Sequence, residues 1–302
     1  MLDPEHLYAL DPELPELVKP VLVHALPGFV DAGGAGRLLG RQLLDTLPHR
    51  KLVAFDVDQL VDHRSHRPVM TFVEDHWDSY TPHSLALHLV HDEVSEPFLF
   101  LTGPEPDYQW ERFTAAVRGL IERFDVRLTV GINSIPMAVP HTRPTGLTAH
   151  ATRPELIAGY EPWLATVQVP GSVGALLEFR LGEAGQDAMG FAVHVPHYLA
   201  QAEYPDAADT LLDAIARATG LVLPRAELRS AAEETRGKID EQVGRSEEVA
   251  AVVRALEQQY DAFAGSRGRA PLMTVDRESL PTADELGAEL ERFLAEQNRM
   301  DE

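Results

Sequence analysis

Up to about residue 224 the chain alternates short apolar runs with longer stretches in which apolar residues recur every three or four positions. The short runs predict strands at 21–26, 52–57, 85–90, 98–102, 128–132, 164–169 and 189–195. The longer ones predict helices at 34–45, 108–123, 172–180 and 206–219, with Ser172 capping one and Gly220 stopping the last. Several of the strands are apolar throughout, so both of their faces need covering, which helices on either side of a sheet provide. The expected fold class is α/β, a three-layer α/β/α sandwich.

After Pro224 the pattern changes to helix only. Val249, Val252, Val253, Leu256 and Tyr260 fall on one helical stripe, which Ser246 would cap and Gly265 would close. A last helix is expected from Thr282, where Thr-x-x-Glu with Glu285 forms a capping box and Leu286, Leu290, Phe293 and Leu294 share a face. Residues 265–271 read as the connector. The expected organisation is an α/β domain over 1–224 and a helical C-terminal extension over 225–302, packed on its own domain or gripping another subunit.

Charge and composition narrow the function. The 302 residues carry 26 Lys+Arg against 48 Asp+Glu, a net charge of −22, which argues against a protein that coats nucleic-acid phosphates. There is no cysteine, which excludes disulfides, thiolate zinc sites and a cysteine nucleophile together. The first basic residue, Lys19, follows five carboxylates, the reverse of a secretory leader, and no stretch of about 20 apolar residues occurs. A soluble, cytoplasmic protein that meets neither membrane nor nucleic acid is expected. The only lysines are Lys19, Lys51 and Lys238, and none follows a glycine loop, so a P-loop is absent.

Two segments carry candidate chemistry. The first predicted strand runs into a glycine-rich turn containing Gly28, Asp31, Gly33, Gly34 and Gly36, where backbone amides at a helix start could receive an anion. Gly34, Gly36 and Gly40 with Asp56 superficially follow a dinucleotide fingerprint, but residues 27–33 intervene and the third glycine is one place late. The competing reading is close helix-on-sheet packing, and no nucleotide cofactor is expected. The second segment follows the strand at 128–132. Asn133, His141 and Arg143 lie among Pro136, Pro140 and Pro144, which enforce an extended path at a strand's carboxyl end, where α/β sheets place ligands. These groups could hold a carboxylate or oxyanion, or else fasten the loop to carboxylates elsewhere. His197, in a second Val-Pro-His, joins the same rim if the two strands are parallel.

Six histidines between His63 and His91 invite a metal reading, but His88 and His91 would point to opposite faces of a strand, and His63 and His66 lack a third ligand. No metal site is expected. Gly171-Ser172-Val173-Gly174 lacks the glycine of a nucleophile elbow, because Pro170 stands there.

Taken together, the Pro27-Gly28 turn, Pro140-His141-Thr142-Arg143-Pro144, Pro170-Gly171-Ser172 and Val195-Pro196-His197-Tyr198 resemble the proteasome assembly chaperone two family over about residues 19–224. They are most similar to its actinobacterial branch, which the arginine-rich, lysine-poor composition suits. The resemblance implies a phosphorylase/hydrolase-like α/β/α fold, a tendency to form homo-oligomers, proteasome subunits as partners, and no established catalytic residues. Relatives that dock on the proteasome ring end in hydrophobic-Tyr-any. This sequence ends Met300-Asp301-Glu302, so that docking mode is not expected. The function expected is a non-catalytic oligomeric assembly or interaction factor. The alternative is a small-molecule enzyme or binding protein with a strand-end anion pocket.

Overall fold

The computed structural model describes residues 2–160 and 166–266. Eight strands form one mixed sheet: β1 (Tyr8–Leu10), β2 (Val21–Ala25), β3 (His49–Phe55), β6 (Ala86–His91), β7 (Pro97–Thr102), β8 (Leu128–Met137), β9 (Leu147–Ala151) and β10 (Ala188–Pro196). Their spatial order is β1-β3-β6-β7-β2-β8-β10-β9. The centre, β7-β2-β8-β10, is parallel, and both flanks are antiparallel. A separate hairpin of β4 (Val69–Val73) and β5 (His76–Thr81) stands outside this sheet.

The apolar runs become central strands because helices cover both faces. Alternate residues of β2 divide between two cores: Val21, Val23 and Ala25 pack on one side, and Leu22 on the other. On the first side lie α1 (Ala35–Thr46), α5 (Pro205–Thr219) and α6 (Ala226–Arg245), which contribute Leu39, Leu43, Leu211, Ile215, Leu228 and Ile239. On the second side, α3 (Trp110–Arg123) and α4 (Val173–Glu183) contribute Phe113, Leu120, Leu177 and Leu181. This is the three-layer α/β/α arrangement. The short α2 (Val57–Leu60) follows β3, and α7 (Glu247–Ser266) follows α6.

The helix signals act as their chemistry dictates. Ser172 Oγ accepts from Ala175 N–H at 3.2 Å, and Ser246 Oγ accepts from Val249 N–H at 3.4 Å. Gly220 takes the left-handed C-cap of α5, with φ +84°. Gly265 does not close α7, which continues to Ser266, because one glycine weakens a helix by only about 1 kcal/mol. The strand expected at 164–169 is not formed over 166–169, which are irregular and exposed, and its first two residues lie outside the described residues. The helix expected from Thr282, and the connector beyond Ser266, also lie outside them. The hairpin and the edge strands β1 and β9 were not anticipated.

Candidate functional site at the strand-end rim

The carboxyl ends of β2, β8 and β10 form a rim where the predicted residues gather. After β2 the chain turns through Gly33 (φ +66°) and Gly34 (φ +58°), two successive left-handed residues that glycine adopts without strain. Gly33 is also crowded: a Cβ there would lie 2.8 Å from Tyr204 Cβ, and its amide and carbonyl bond Ala200 and Tyr204. The turn delivers the start of α1 to Asp31. Its Oδ1 accepts from Gly36 N–H at 2.8 Å and from the Ser134 hydroxyl at 3.1 Å, and its Oδ2 accepts from Arg37 N–H at 3.3 Å. The place where an anion would sit at the helix start is therefore filled by the chain's own carboxylate.

The start of α4 is closed in the same way. Glu105 Oε1 accepts from Val173 N–H at 2.6 Å, and the rest of that side chain fills the space a Cβ at Gly28 would need.

The proline-rich segment leaves β8 and meets the helical extension. His141 is buried; its backbone N–H donates to Tyr198 Oη at 2.8 Å, and its Nδ1 lies 2.6 Å from the same oxygen. Burial pushes the Tyr198 hydroxyl up to about 12, so it keeps its proton and donates to Nδ1. The Nε2 N–H then points to Asp240 Oδ1 of α6, 3.1 Å away. Arg143 makes a two-pronged contact with Asp261 of α7, Nε to Oδ1 at 2.7 Å and Nη2 to Oδ2 at 2.6 Å. It also reaches Glu257 Oε1 at 3.3 Å, which the Thr142 hydroxyl meets as well. The hydrogen bonds to Asp261 raise the Arg143 pKa and lower that of Asp261, so both stay charged. Tyr260 adds a hydroxyl donation to the Pro144 carbonyl at 3.3 Å.

Among the predicted residues, the structure brings His141 and His197 to either side of Tyr198, with ring centroids 5.9 and 5.4 Å from it. Their strands are parallel neighbours. Arg143 is beside them but turned to α7. Asn133 stands apart: it is exposed, its Oδ1 accepts from Ser134 N–H at 2.8 Å, and strand alternation puts it on the opposite face from Ser134. Tyr198, Asp240, Glu257 and Asp261 were missed. The surplus of acid from Ala226 onward, 18 acidic against 10 basic residues, was the available signal for the last three. Among the described residues no group of three histidine or acidic side chains is placed to hold a metal.

A family model for the PAC2 family, the proteasome assembly chaperone two family of the sequence resemblance, matches residues 25–243, most of the sheet together with α6. The chain belongs to the PAC2 family. A Mycobacterium tuberculosis protein of unknown function is similar at 49% identity and TM-score 0.84, over 86% of this PAC2 chain and 90% of that one. A Corynebacterium glutamicum protein, also of unknown function, matches at 40% identity and TM-score 0.83, over 87% and 99%. A proteasome-assembly chaperone homologue from M. tuberculosis shares the fold at 23% identity and TM-score 0.71, over 77% and 99%. A search of curated proteins finds no match. The resemblance read in the sequence, actinobacterial relatives included, is thus borne out.

Proposed function

We propose that this PAC2 protein is a homo-oligomeric protein-interaction factor that works without catalysis in the assembly of proteasome subunits, in the cytoplasm and away from nucleic acid. The observation that carries the reading is the β4–β5 hairpin. Every residue of both strands is exposed, and Val69, Met70, Phe72, Val73, Trp77 and Tyr80 are large and apolar. A two-stranded hairpin in water is marginally stable by itself, and so large an apolar surface marks a contact with protein.

The occupant of this surface is a second copy of the chain. Its turn is acidic, with Glu74 and Asp75, whereas its root carries Arg64 and Arg67. Two hairpins laid antiparallel about a two-fold axis put each acidic turn beside the other copy's basic root, and they bury both apolar faces. Among the described residues neither outer edge of the hairpin pairs with another strand.

The alternative, an enzyme or small-molecule protein with a strand-end anion pocket, calls for free donors at the rim. There Asp31, Glu105, His141 and Arg143 are engaged by the chain's own amides and carboxylates. Support for the proteasome as partner comes from relatives of this fold, the M. tuberculosis chaperone homologue and a Pyrococcus furiosus protein named as an archaeal homologue of proteasome-assembly chaperone. No described helix is long and apolar enough to cross a membrane, which fits this setting.

The test is native mass spectrometry of the protein mixed with the proteasome α and β subunits of its own genome. A defined complex is expected with free or half-assembled subunits. Absence of any complex overturns the assembly role.

A further inference from the structure

At the end of the sheet opposite the rim, a cavity of about 280 Å³ opens where β2, β7 and β8 begin, beside the last turn of α5. Two cations line it. Arg127 gives one N–H to the Thr219 carbonyl at 2.9 Å and, like Lys19, enters no ion pair among the described residues. Lys19 holds φ +46°, in the left-handed region where any side chain is strained. A glycine would take that backbone at no steric cost, yet a lysine stands here and lines the cavity.

Two acids complete the charge balance. Asp92 is already engaged: Oδ1 accepts from Val94 and Glu96 N–H at 3.0 and 2.8 Å, and Oδ2 from Val222 N–H at 2.8 Å. Glu96 lines the cavity with its carboxylate uncommitted among the described residues. The last turn of α5, closed by Gly220, brings carbonyl oxygens and the negative end of the helix to the same space. Val94, Pro97 and Leu221 supply apolar surface.

The two cations are matched by two carboxylates, so the cavity favours a ligand carrying both signs over one with a net charge. Its size falls just short of the small-molecule cleft range, which runs from about 300 Å³ upward, so only a small ligand fits. We propose that this cavity binds a zwitterionic α-amino acid with a short aliphatic side chain. Its carboxylate meets Lys19 and Arg127, its ammonium meets Glu96 and the carbonyl end of α5, and its side chain lies against Val94, Pro97 and Leu221.

The test is titration calorimetry of the full chain with leucine, 4-methylpentanoate, which lacks the ammonium, and 3-methylbutylamine, which lacks the carboxylate. Leucine is expected to bind saturably at one site, and each truncated compound at least about tenfold more weakly. Lys19→Gly is expected to weaken leucine binding at least about tenfold while melting at the wild-type temperature or above, because it relieves the strained φ. If Lys19→Gly melts lower, Arg127→Gln decides: a similar loss of binding supports the site, and unchanged binding overturns it. No saturable heat from leucine, isoleucine or valine up to about 10 mM overturns the proposal. So does Lys19→Gly binding at wild-type affinity, or 4-methylpentanoate binding as tightly as leucine.

Discussion

Replacing His141 with alanine removes the imidazole that joins the end of β10 to α6. Its side chain is 1% exposed. The Tyr198 hydroxyl still accepts from the backbone N–H of residue 141 but loses the nitrogen it donates to, and a buried donor left unmatched costs about 1–3 kcal/mol. The vacated ring space adds on the order of 1 kcal/mol. Asp240 contributes almost nothing to this sum, because its side chain is 60% exposed and rehydrates when its partner leaves. The total is about 2–4 kcal/mol, which at about 2 °C per kcal/mol for a chain of this size lowers Tm by about 4–8 °C. The assay is scanning calorimetry of wild type and His141→Ala, each with and without phosphate. A variant melting within about 1 °C of wild type would refute the clamp. A wild type stabilised by phosphate, beside a variant that does not respond, would make the imidazole a ligand group instead.

Acidification gives a second outcome. Burial lowers His24, His88 and His194 to about 4, so between the ordinary histidine value near 6.5 and about 4 the unfolded chain takes up protons that the native chain refuses. Stability therefore falls as pH drops through that window, by up to about 1.4 kcal/mol per pH unit for the fully enclosed His24; urea midpoints that stay flat from pH 7 to 4.5 would contradict it. Gly33→Ala places a Cβ at φ +66° and 2.8 Å from Tyr204 Cβ, and is expected to cost about 1–3 kcal/mol in urea denaturation, against no loss if the turn is slack. Arg143→Ala releases Asp261 and Glu257, so amide exchange is expected to accelerate in α7 but not in α5; equal protection in both proteins would show that α7 is held by its apolar contacts at Val253 and Leu256 alone.

The central sheet was legible because its strands are buried on both faces and therefore apolar at nearly every position, as in β2, where His24 alone interrupts the run. The hairpin was not. Val69, Met70, Phe72, Trp77 and Tyr80 are interleaved with histidine and acid, and no residue of it is buried, so neither a core face nor an alternating half-buried pattern marks it. Strand β8 continues to Met137 through Pro136, an extended path that the prolines foretold, though its pairing with Pro196 at the end of β10 depends on a partner far along the chain. His141 and Arg143 stood out as chemistry at a strand end. Their partners Asp240 and Asp261 lie 99 and 118 residues further on, and only folding the extension back over the rim shows where those charges go. The glycine turn carried two readings; in the structure the Asp31 carboxylate occupies the α1 start and Gly33 is crowded against Tyr204.

The measurement closest to the central claim is light scattering of wild type beside Phe72→Ser/Trp77→Ser. The two rings are 54% and 63% exposed, and aromatic side chains bury about 150–250 Å² when fully covered, so a second copy would take up to about 250 Å² of them per protomer out of water. At about 25 cal/mol per Å² that is about 6 kcal/mol, and even half of it weakens association by about a hundredfold. Wild type at micromolar concentration is predicted to have an oligomer's mass, and the double variant a monomer's mass with a wild-type circular dichroism spectrum. A monomeric wild type, or a variant that keeps the wild-type mass, would contradict the account.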